Sequence, residues 1–298
     1  MVNKISKFNS GTPLVVIILT VLSLIWGSSF ILIKKGLIAF APGQVGCLRM
    51  IMAFLVLFPL AARNLKGVTK EEWKWIFIVG TFSNFLPAML FAKAETGLDS
   101  GITGILNSMT PMFTFVLGLL FFGTQYKKMQ FVGLIIGLAG SVWLSMVGNG
   151  GELGSINYYA LYVLLATIFY GWTGNILKAH LSHIRSVLIT GYATFSILPF
   201  AVGYLLSTDF FDVMANHPYA WQSLGYIFIL GAVGTAFALA LFNKLIQVTT
   251  AVIASSSTYT IPIVAVMWGF VDGESFFPLH LVGMALIIVG VFIVNKFK

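Results

Sequence analysis

Arg49 is the residue of this chain whose chemistry most needs an explanation. It lies within the apolar stretch APGQVGCLRMIMAFLVLFPLAA, residues 41–62. A guanidinium keeps its proton in proteins, so its charge needs a partner or access to water. Three roles are open: contact with an anionic substrate group, a structural or gating pair with Glu95, or a long side chain that reaches the lipid headgroups.

Other polar side chains recur at helical spacing inside apolar stretches. Thr103, Asn107, Thr110 and Thr114 follow an i, i+4, i+7, i+11 pattern and therefore share one face of a helix. Such a stripe either lines a cavity or holds neighbouring helices together by hydrogen bonds.

Aromatic and amide side chains add to the candidate site. Trp172 and Asn175 are one helical turn apart, and an indole with an amide suits an aromatic or zwitterionic ligand. Tyr259 ends the polar run SSSTY, three residues before Pro262. We expect six residues to line a substrate site, although each also suits helix packing: Asn84, Asn107, Thr110, Trp172, Asn175 and Tyr259.

The chain offers little for catalysis or metal binding. Its single cysteine, Cys47, excludes a disulfide framework, and its four histidines lie in loops or at the edges of apolar stretches without metal-ligand spacing. A nucleophile with a nearby base, or a cluster of acids, is also missing from the pattern. We therefore expect no enzyme activity, no metal and no cofactor.

The composition requires a membrane. The chain is 58% hydrophobic and 9% charged, against roughly 25% charged residues in soluble domains. Its mean hydropathy is +0.96. Because lipid offers no hydrogen-bond partners to the backbone, apolar stretches of about 20 residues are expected to be helices. The predicted spans are residues 13–33, 43–62, 75–94, 101–122, 130–147, 158–177, 187–206, 222–243, 251–271 and 279–295.

The basic residues predict the orientation. With the N-terminus in the cytoplasm, 13 of the 17 basic residues fall on the inner side, as the positive-inside rule expects. They are Lys4, Lys7, Arg63, Lys66, Lys70, Lys74, Lys127, Lys128, Lys178, Arg185, Lys244, Lys296 and Lys298. The net charge of +8 is thus explained by cytoplasmic loops near anionic lipid rather than by nucleic-acid binding.

The chain also contains an internal repeat. Gly80, Lys93 and Pro111 recur 151 residues later as glycine, lysine and proline, and WGSSFILIKKGL is matched by YGWTGNILKAHL. A repeat of five spans places its two copies in opposite orientations, which is the architecture of many secondary transporters. We expect an all-α membrane protein of ten transmembrane helices, built as two inverted five-helix repeats, 1–149 and 150–298, around a central cavity.

Several motifs identify a resemblance. WGSSFILIKKGL, LRMIMAFLVL, NSMTPMFTFVLGLLFFG with QFVGLIIGLAG, and YTIPIVAVMWGFVDGE with LHLVGMALIIVG resemble EamA-type members of the drug/metabolite transporter superfamily over residues 14–295. The family often has Gly-Glu after the fourth and ninth spans, which Gly273-Glu274 keeps and Gly123-Thr124 does not. The resemblance implies ten helices around a cavity with the fifth and tenth peripheral. It also implies a structural or gating role for Arg49, because arginine is common at this place whatever the substrate.

The functional prediction follows from the repeat and the resemblance. We expect a secondary transporter that moves an amino acid, metabolite or drug-like compound across the cytoplasmic membrane by alternating access, in the direction of export, with both termini in the cytoplasm. Its partners are a small-molecule substrate and membrane lipids, and a homodimer is left open. The alternatives are a channel, or a sensory or structural membrane protein without transport activity.

Overall fold

The computed structural model describes residues 13–62, 68–123, 127–147, 151–154 and 156–296. Its regular structure in these ranges is helical, with one isolated β-bridge between Val147 and Leu153. The helices are α1 Pro13–Gly36, α2 Pro42–Ala61, α3 Lys70–Ala94, α4 Ser100–Phe121, α5 Lys128–Met146, α6 Tyr159–His180, α7 Ser186–Leu206, α8 Phe210–Asn216, α9 Ala220–Val248, α10 Ala251–Ser255, α11 Ile261–Val271 and α12 Pro278–Lys296.

Eight helices in the described ranges, α1 to α7 and α9, are long and apolar enough to cross a membrane. The predicted spans at 251–271 and 279–295 fall on shorter apolar helices, Ile261–Val271 and Pro278–Val294. The prediction of an all-helical membrane protein is confirmed. The full count of ten spans and the inverted arrangement stay predictions.

Two prolines interrupt helices at corresponding points. In α4 the helix is broken by a turn at Ser108–Met109, just before Pro111. A proline has no N–H, and its ring displaces the carbonyl four residues earlier, here that of Asn107. The Thr110 hydroxyl donates to this freed oxygen at 2.8 Å. In the second half, a 3₁₀ turn at Ser256–Tyr259 precedes Pro262 in the same way.

Two π-helical segments widen α3 and α9. They cover Gly80–Phe85 and Leu230–Phe237. The Thr235 hydroxyl bonds the Leu230 carbonyl five residues back at 3.3 Å. The first glycine of each segment allows close helix packing: a Cβ at Gly80 would lie 2.6 Å from the Ala193 carbonyl oxygen, and one at Gly231 would lie 2.8 Å from that of Arg49. Such segments occur frequently at functional sites, and both of these contribute to the site described below.

Helices α5 and α12 pack closely against each other through glycines. A Cβ at Gly290 would lie 2.5 Å from the carbonyl oxygen of Gly133, and one at Gly140 would lie 2.9 Å from that of Gly283. Neither position leaves room for a side chain. Small residues allow helix backbones to approach in this way in membranes, so the glycine pattern of these two helices serves packing.

Candidate functional site

A cavity with an empty volume of about 740 Å³, part of it open to solvent, lies among α1, α2, α3, α4, α6, α9 and the polar segment around Ser255. Its walls combine aromatic, amide and hydroxyl side chains with one arginine. The lining residues are Trp26, Ser29, Phe30, Ile33, Arg49, Met50, Ser83, Asn84, Phe91, Asn107, Thr110, Tyr170, Thr235, Leu239, Phe242, Ser255 and Thr258.

The wall is apolar over most of its area and has a few polar groups that could orient a ligand. Arg49 is the one charged residue among the described residues of the wall. The wall also contains five aromatic side chains, and its amides and hydroxyls supply donors and acceptors. This combination is typical of small-molecule sites, in which apolar contact holds the ligand and a few polar groups fix its orientation.

Arg49 is buried within the helix bundle, on the wall of the cavity. Its side chain is 8% exposed, and its Nε donates a 2.6 Å hydrogen bond to Thr235 Oγ1 in the π segment of α9. Within the described ranges no carboxylate lies within 4 Å of the guanidinium. The Arg49–Glu95 ion pair, one of the roles left open by the sequence, is not among the ion pairs of the described residues, and a gating role for the two residues stays a prediction.

Three of the predicted lining residues are on the cavity wall. Asn84 lies in the π segment of α3, and Asn107 and Thr110 flank the break in α4. Both departures from regular helical geometry thus lie at the cavity wall. Their contact with a substrate stays a prediction.

Trp172 and Asn175 lie away from that wall. Asn175 Nδ2 donates to the backbone oxygens of Thr114, at 2.9 Å, and Gly171, at 2.8 Å, so its amide joins α6 to α4. Trp172 packs edge-on against Phe82, with ring centroids 5.2 Å apart. Helical spacing correctly placed these two side chains on one face, but that face packs against other helices. The side chain of Tyr259 lies outside the described part of the structure.

Sequence reasoning did not include several wall residues in the candidate site. Tyr170, two positions before Trp172, presents the other face of α6 to the cavity. Trp26 donates from Nε1 to the Gly234 carbonyl at 3.0 Å and so joins α1 to the π segment of α9. Thr235 was detectable as an isolated hydroxyl within the apolar run GAVGTAFALALF.

A charged cluster, the Glu274 latch, joins three elements at one end of the bundle. It consists of Lys34, Ser100, Gly101, Asp272 and Glu274. Lys34 Nζ lies 2.8 Å from carboxylate oxygens of both Asp272 and Glu274. The backbone N–H groups of Ser100 and Gly101 donate to Glu274 at 2.9 and 3.0 Å, and Ser100 Oγ donates at 2.6 Å. The latch thus ties the loop after α11 to the end of α1 and the start of α4.

Glu274 is buried yet held in its ionised form. Burial opposes its charge, but the hydrogen bonds from Lys34, from Ser100 and from the Gly101 backbone outweigh burial and lower the pKa of Glu274 below its ordinary value. Lys35 adds a further ion pair with Asp272. We call this end of the bundle the Glu274 end.

A lysine also joins helices at the opposite end. Lys178, the repeat counterpart of Lys34, donates from Nζ to the carbonyl oxygens of Ile246, Gln247 and Thr249 at 2.9, 3.1 and 2.6 Å. Thr124, which stands where a second Gly-Glu pair was expected, lies outside the described residues.

Comparison with known proteins identifies relatives over nearly the whole chain. The model of the EamA-like transporter family matches residues 13–146 and again residues 157–296. A solved crystal structure covers 94% of this chain and 96% of its own, with a TM-score of 0.65 at 15% identity, which shows a shared fold.

Three curated relatives are named as transporters or exporters. The chain is 25% identical over 289 residues to an inner membrane transporter, YedA of Escherichia coli, covering 93% of this chain and 89% of that one. It is 24% identical over 285 residues to a probable terminal-alkyne amino-acid exporter of Streptantibioticus cattleyicolor, covering 94% and 92%. It is 25% identical over 188 residues to a probable amino-acid metabolite efflux pump of Salmonella typhimurium, covering 61% and 60%.

Proposed function

Because the chain belongs to the EamA-like transporter family, we propose that it exports a small organic metabolite across the cytoplasmic membrane by alternating access. The family and its named relatives are transporters, which are not enzymes, and the apolar helices make the protein an integral membrane protein. The substrate class, the direction and the mechanism are the parts that we propose.

We propose ten membrane-spanning helices in two inverted halves, 1–149 and 150–298, with both termini in the cytoplasm and the Glu274 end facing outward. The contacts between helices support this arrangement, because exchanging the halves leaves the pattern unchanged. Helix α1 packs against α9 and α11, and its counterpart α6 packs against α3 and α4. Helix α2 packs against its own counterpart α7, and α5 against α12.

One observation carries the substrate class: the wall of the cavity contains a buried guanidinium that has no carboxylate partner among the described residues. An arginine can hold a carboxylate through two parallel hydrogen bonds. The Nε of Arg49 is engaged by Thr235, which orients the guanidinium and leaves its terminal nitrogens for a ligand. The aromatic rings of the cavity wall would contact an apolar part of the substrate. We propose a substrate with one carboxylate and an apolar or aromatic side group.

The amides of Asn84 and Asn107 would bind a second polar group of the substrate, such as an amine. Both lie on the cavity wall with Arg49, and an amide can donate or accept. Two relatives are named as a probable terminal-alkyne amino-acid exporter and a probable amino-acid metabolite efflux pump, and an amino acid has both a carboxylate and an amine.

Uptake of radiolabelled L-phenylalanine into proteoliposomes tests this proposal. Preloaded L-phenylalanine should accelerate uptake, which a carrier allows and a channel does not. Phenylacetate should compete, because it keeps the carboxylate, and phenethylamine should not. Arg49→Gln should raise the phenylacetate concentration needed for half-inhibition of uptake by about tenfold or more, since a hydrogen bond to a charged group contributes about 1.5–3 kcal/mol.

Two variants serve as controls. Arg49→Lys keeps the charge and loses the paired donors, so a fall in transport rate with unchanged affinity would point to gating instead of binding. Asn175→Leu removes an amide that lies off the cavity wall and should leave affinity unchanged. Equal competition by phenethylamine and phenylacetate would contradict the substrate class, and the absence of saturable L-phenylalanine uptake would contradict a carrier for this compound.

A further inference from the structure

Glu95 is a buried acid whose carboxylate oxygens make no hydrogen bond of good geometry within the described ranges. It follows the last residue of α3, its side chain is 9% exposed, and neither carboxylate oxygen has a hydrogen-bond partner among the described residues. Glu274, by contrast, accepts hydrogen bonds from Lys34, Ser100 and Gly101. An ionised carboxylate buried without donors is strongly disfavoured, so the surroundings of Glu95 favour the protonated acid.

The charged groups around Glu95 come from other elements as well as its own. The charge of Glu274 opposes ionisation, whereas those of Lys34 and Arg49 favour it. Neither Lys34 nor Arg49 forms an ion pair of 4 Å or less with Glu95 within the described ranges, although the backbone N–H of Lys34 approaches the carboxylate and also favours its charge. The remaining titratable groups near this end are Lys93, which lies over the Tyr159 ring, Asp99 in the following loop, and Tyr170 beside Arg49.

Glu95 lies close in sequence to the Glu274 latch. Residues 96–99 connect it to Ser100, whose backbone and hydroxyl are held by Glu274. Opening the latch would free the start of α4 and this loop, and water would then reach the end of α3. Water stabilises the carboxylate, so opening and loss of the proton favour each other.

We propose that Glu95 is a proton-binding site coupled to opening of the Glu274 end. It keeps its proton while the Glu274 latch is closed. When the latch opens, the acid O–H bond breaks, the proton passes to water, and a carboxylate remains. This rests on the alternating-access part of the proposed function and requires no particular substrate.

Infrared spectroscopy of the full chain in vesicles measures this proton directly. Glutamic and aspartic acids have ordinary pKa values of about 4 and are ionised at pH 7, so a protonated carboxyl at that pH reports a protected acid. We expect its C=O band in the wild-type protein and its loss in Glu95→Gln. The band should persist in Asp99→Asn. This variant is the matched control, because Asp99 is a half-buried acid in the loop that follows Glu95. A wild type without the band, or a band that survives Glu95→Gln, would overturn the proposal.

A second variant tests the coupling to opening. Lys34→Gln with Lys35→Gln removes the cation of the latch and the neighbouring cation that pairs with Asp272. If Glu95 were a static buried acid, loss of these positive charges would raise the pH at which its band disappears. If the latch controls access of water, the midpoint should fall by at least one pH unit instead. A rise overturns the coupling.

The two proposals fail separately. The infrared titration uses the proton as its only ligand, so its outcome does not depend on any transported compound. Absence of saturable uptake in proteoliposomes would contradict the proposed carrier and leave the titration of Glu95 as measured. Loss of the band with intact uptake would contradict only the proton site.

Discussion

The change Glu274→Gln weakens the latch with little change in side-chain size. Glutamine keeps one oxygen that can accept from Ser100, so the substitution removes the ion pair with Lys34 at 2.8 Å and the hydrogen bond that the Gly101 N–H donates at 3.0 Å. A hydrogen bond to a charged group contributes about 1.5–3 kcal/mol. The side chain of Lys34 is 34% exposed, and solvent screens part of this interaction. We therefore expect closure of the Glu274 end to weaken by about 2 kcal/mol, or about 30-fold in population.

Cysteine labelling measures that population. Cys47 is the single cysteine, and Ile33 lies on the cavity wall next to Lys34. In a Cys47→Ala, Ile33→Cys background, a membrane-impermeant maleimide should react about 30-fold faster when Glu274→Gln is added, provided that the closed form predominates beforehand. Glu152→Gln removes an exposed acid that has no ion pair within the described ranges, and it should leave the rate unchanged.

Equal rates with and without Glu274→Gln would refute the role of the latch in closure. An equal increase in labelling rate with Glu152→Gln would attribute the effect to surface charge.

The pH dependence of labelling adds a further check, because the pKa of Glu274 is lowered in the folded protein. Its contribution to closure should be fully present above its ordinary pKa of about 4.5 and lost as the pH falls through the lowered value. Labelling should be normalised to that of an exposed cysteine, Glu152→Cys.

Two further predictions concern packing and the cavity wall. Gly290→Ala should lower the melting temperature in detergent by several degrees, because its methyl would lie 2.5 Å from the Gly133 oxygen and overpacking costs about 1–3 kcal/mol; Gly225→Ala, with nothing within 4 Å, should not lower it. Asn175→Leu should destabilise the fold by about 1 kcal/mol and leave L-phenylalanine affinity unchanged, whereas Asn107→Ala should weaken affinity and leave the melting temperature nearly unchanged. The reverse result for either amide would contradict its assigned place.

Hydropathy predicted the helices well and their ends less well. The predicted span at 75–94 begins at Lys70 in the structure, because Thr69 and Glu72 cap the helix through reciprocal hydrogen bonds and add a polar first turn. The span predicted at 222–243 continues to Val248 through the polar Lys244 and Gln247. A search for apolar stretches does not detect the polar turns at the ends of helices.

The candidate site was less predictable, since periodicity identifies a face and not its neighbour. Asn107 and Asn175 have the same chemistry, yet one lies on the cavity wall and the other bonds the backbone of α4. The latch was missed because Lys34 and Glu274 are 240 residues apart and their pairing depends on how the halves meet. The lack of hydrogen-bond partners for the Glu95 carboxylate oxygens likewise depends on the packing of distant segments, which local sequence patterns do not predict.

The glycine contact between α5 and α12 has a mechanical consequence. These helices lie in different halves and touch through backbone atoms at Gly133 and Gly290, so separating them would open a void in lipid with no side chain to fill it. A rotation of one half against the other would therefore have the contact between α5 and α12 as its axis. The displacement of a residue would then grow with its distance from the contact between α5 and α12. Two spin labels placed on either side of this contact should keep a narrow distance distribution, whereas two labels on either side of the cavity should give a broader one.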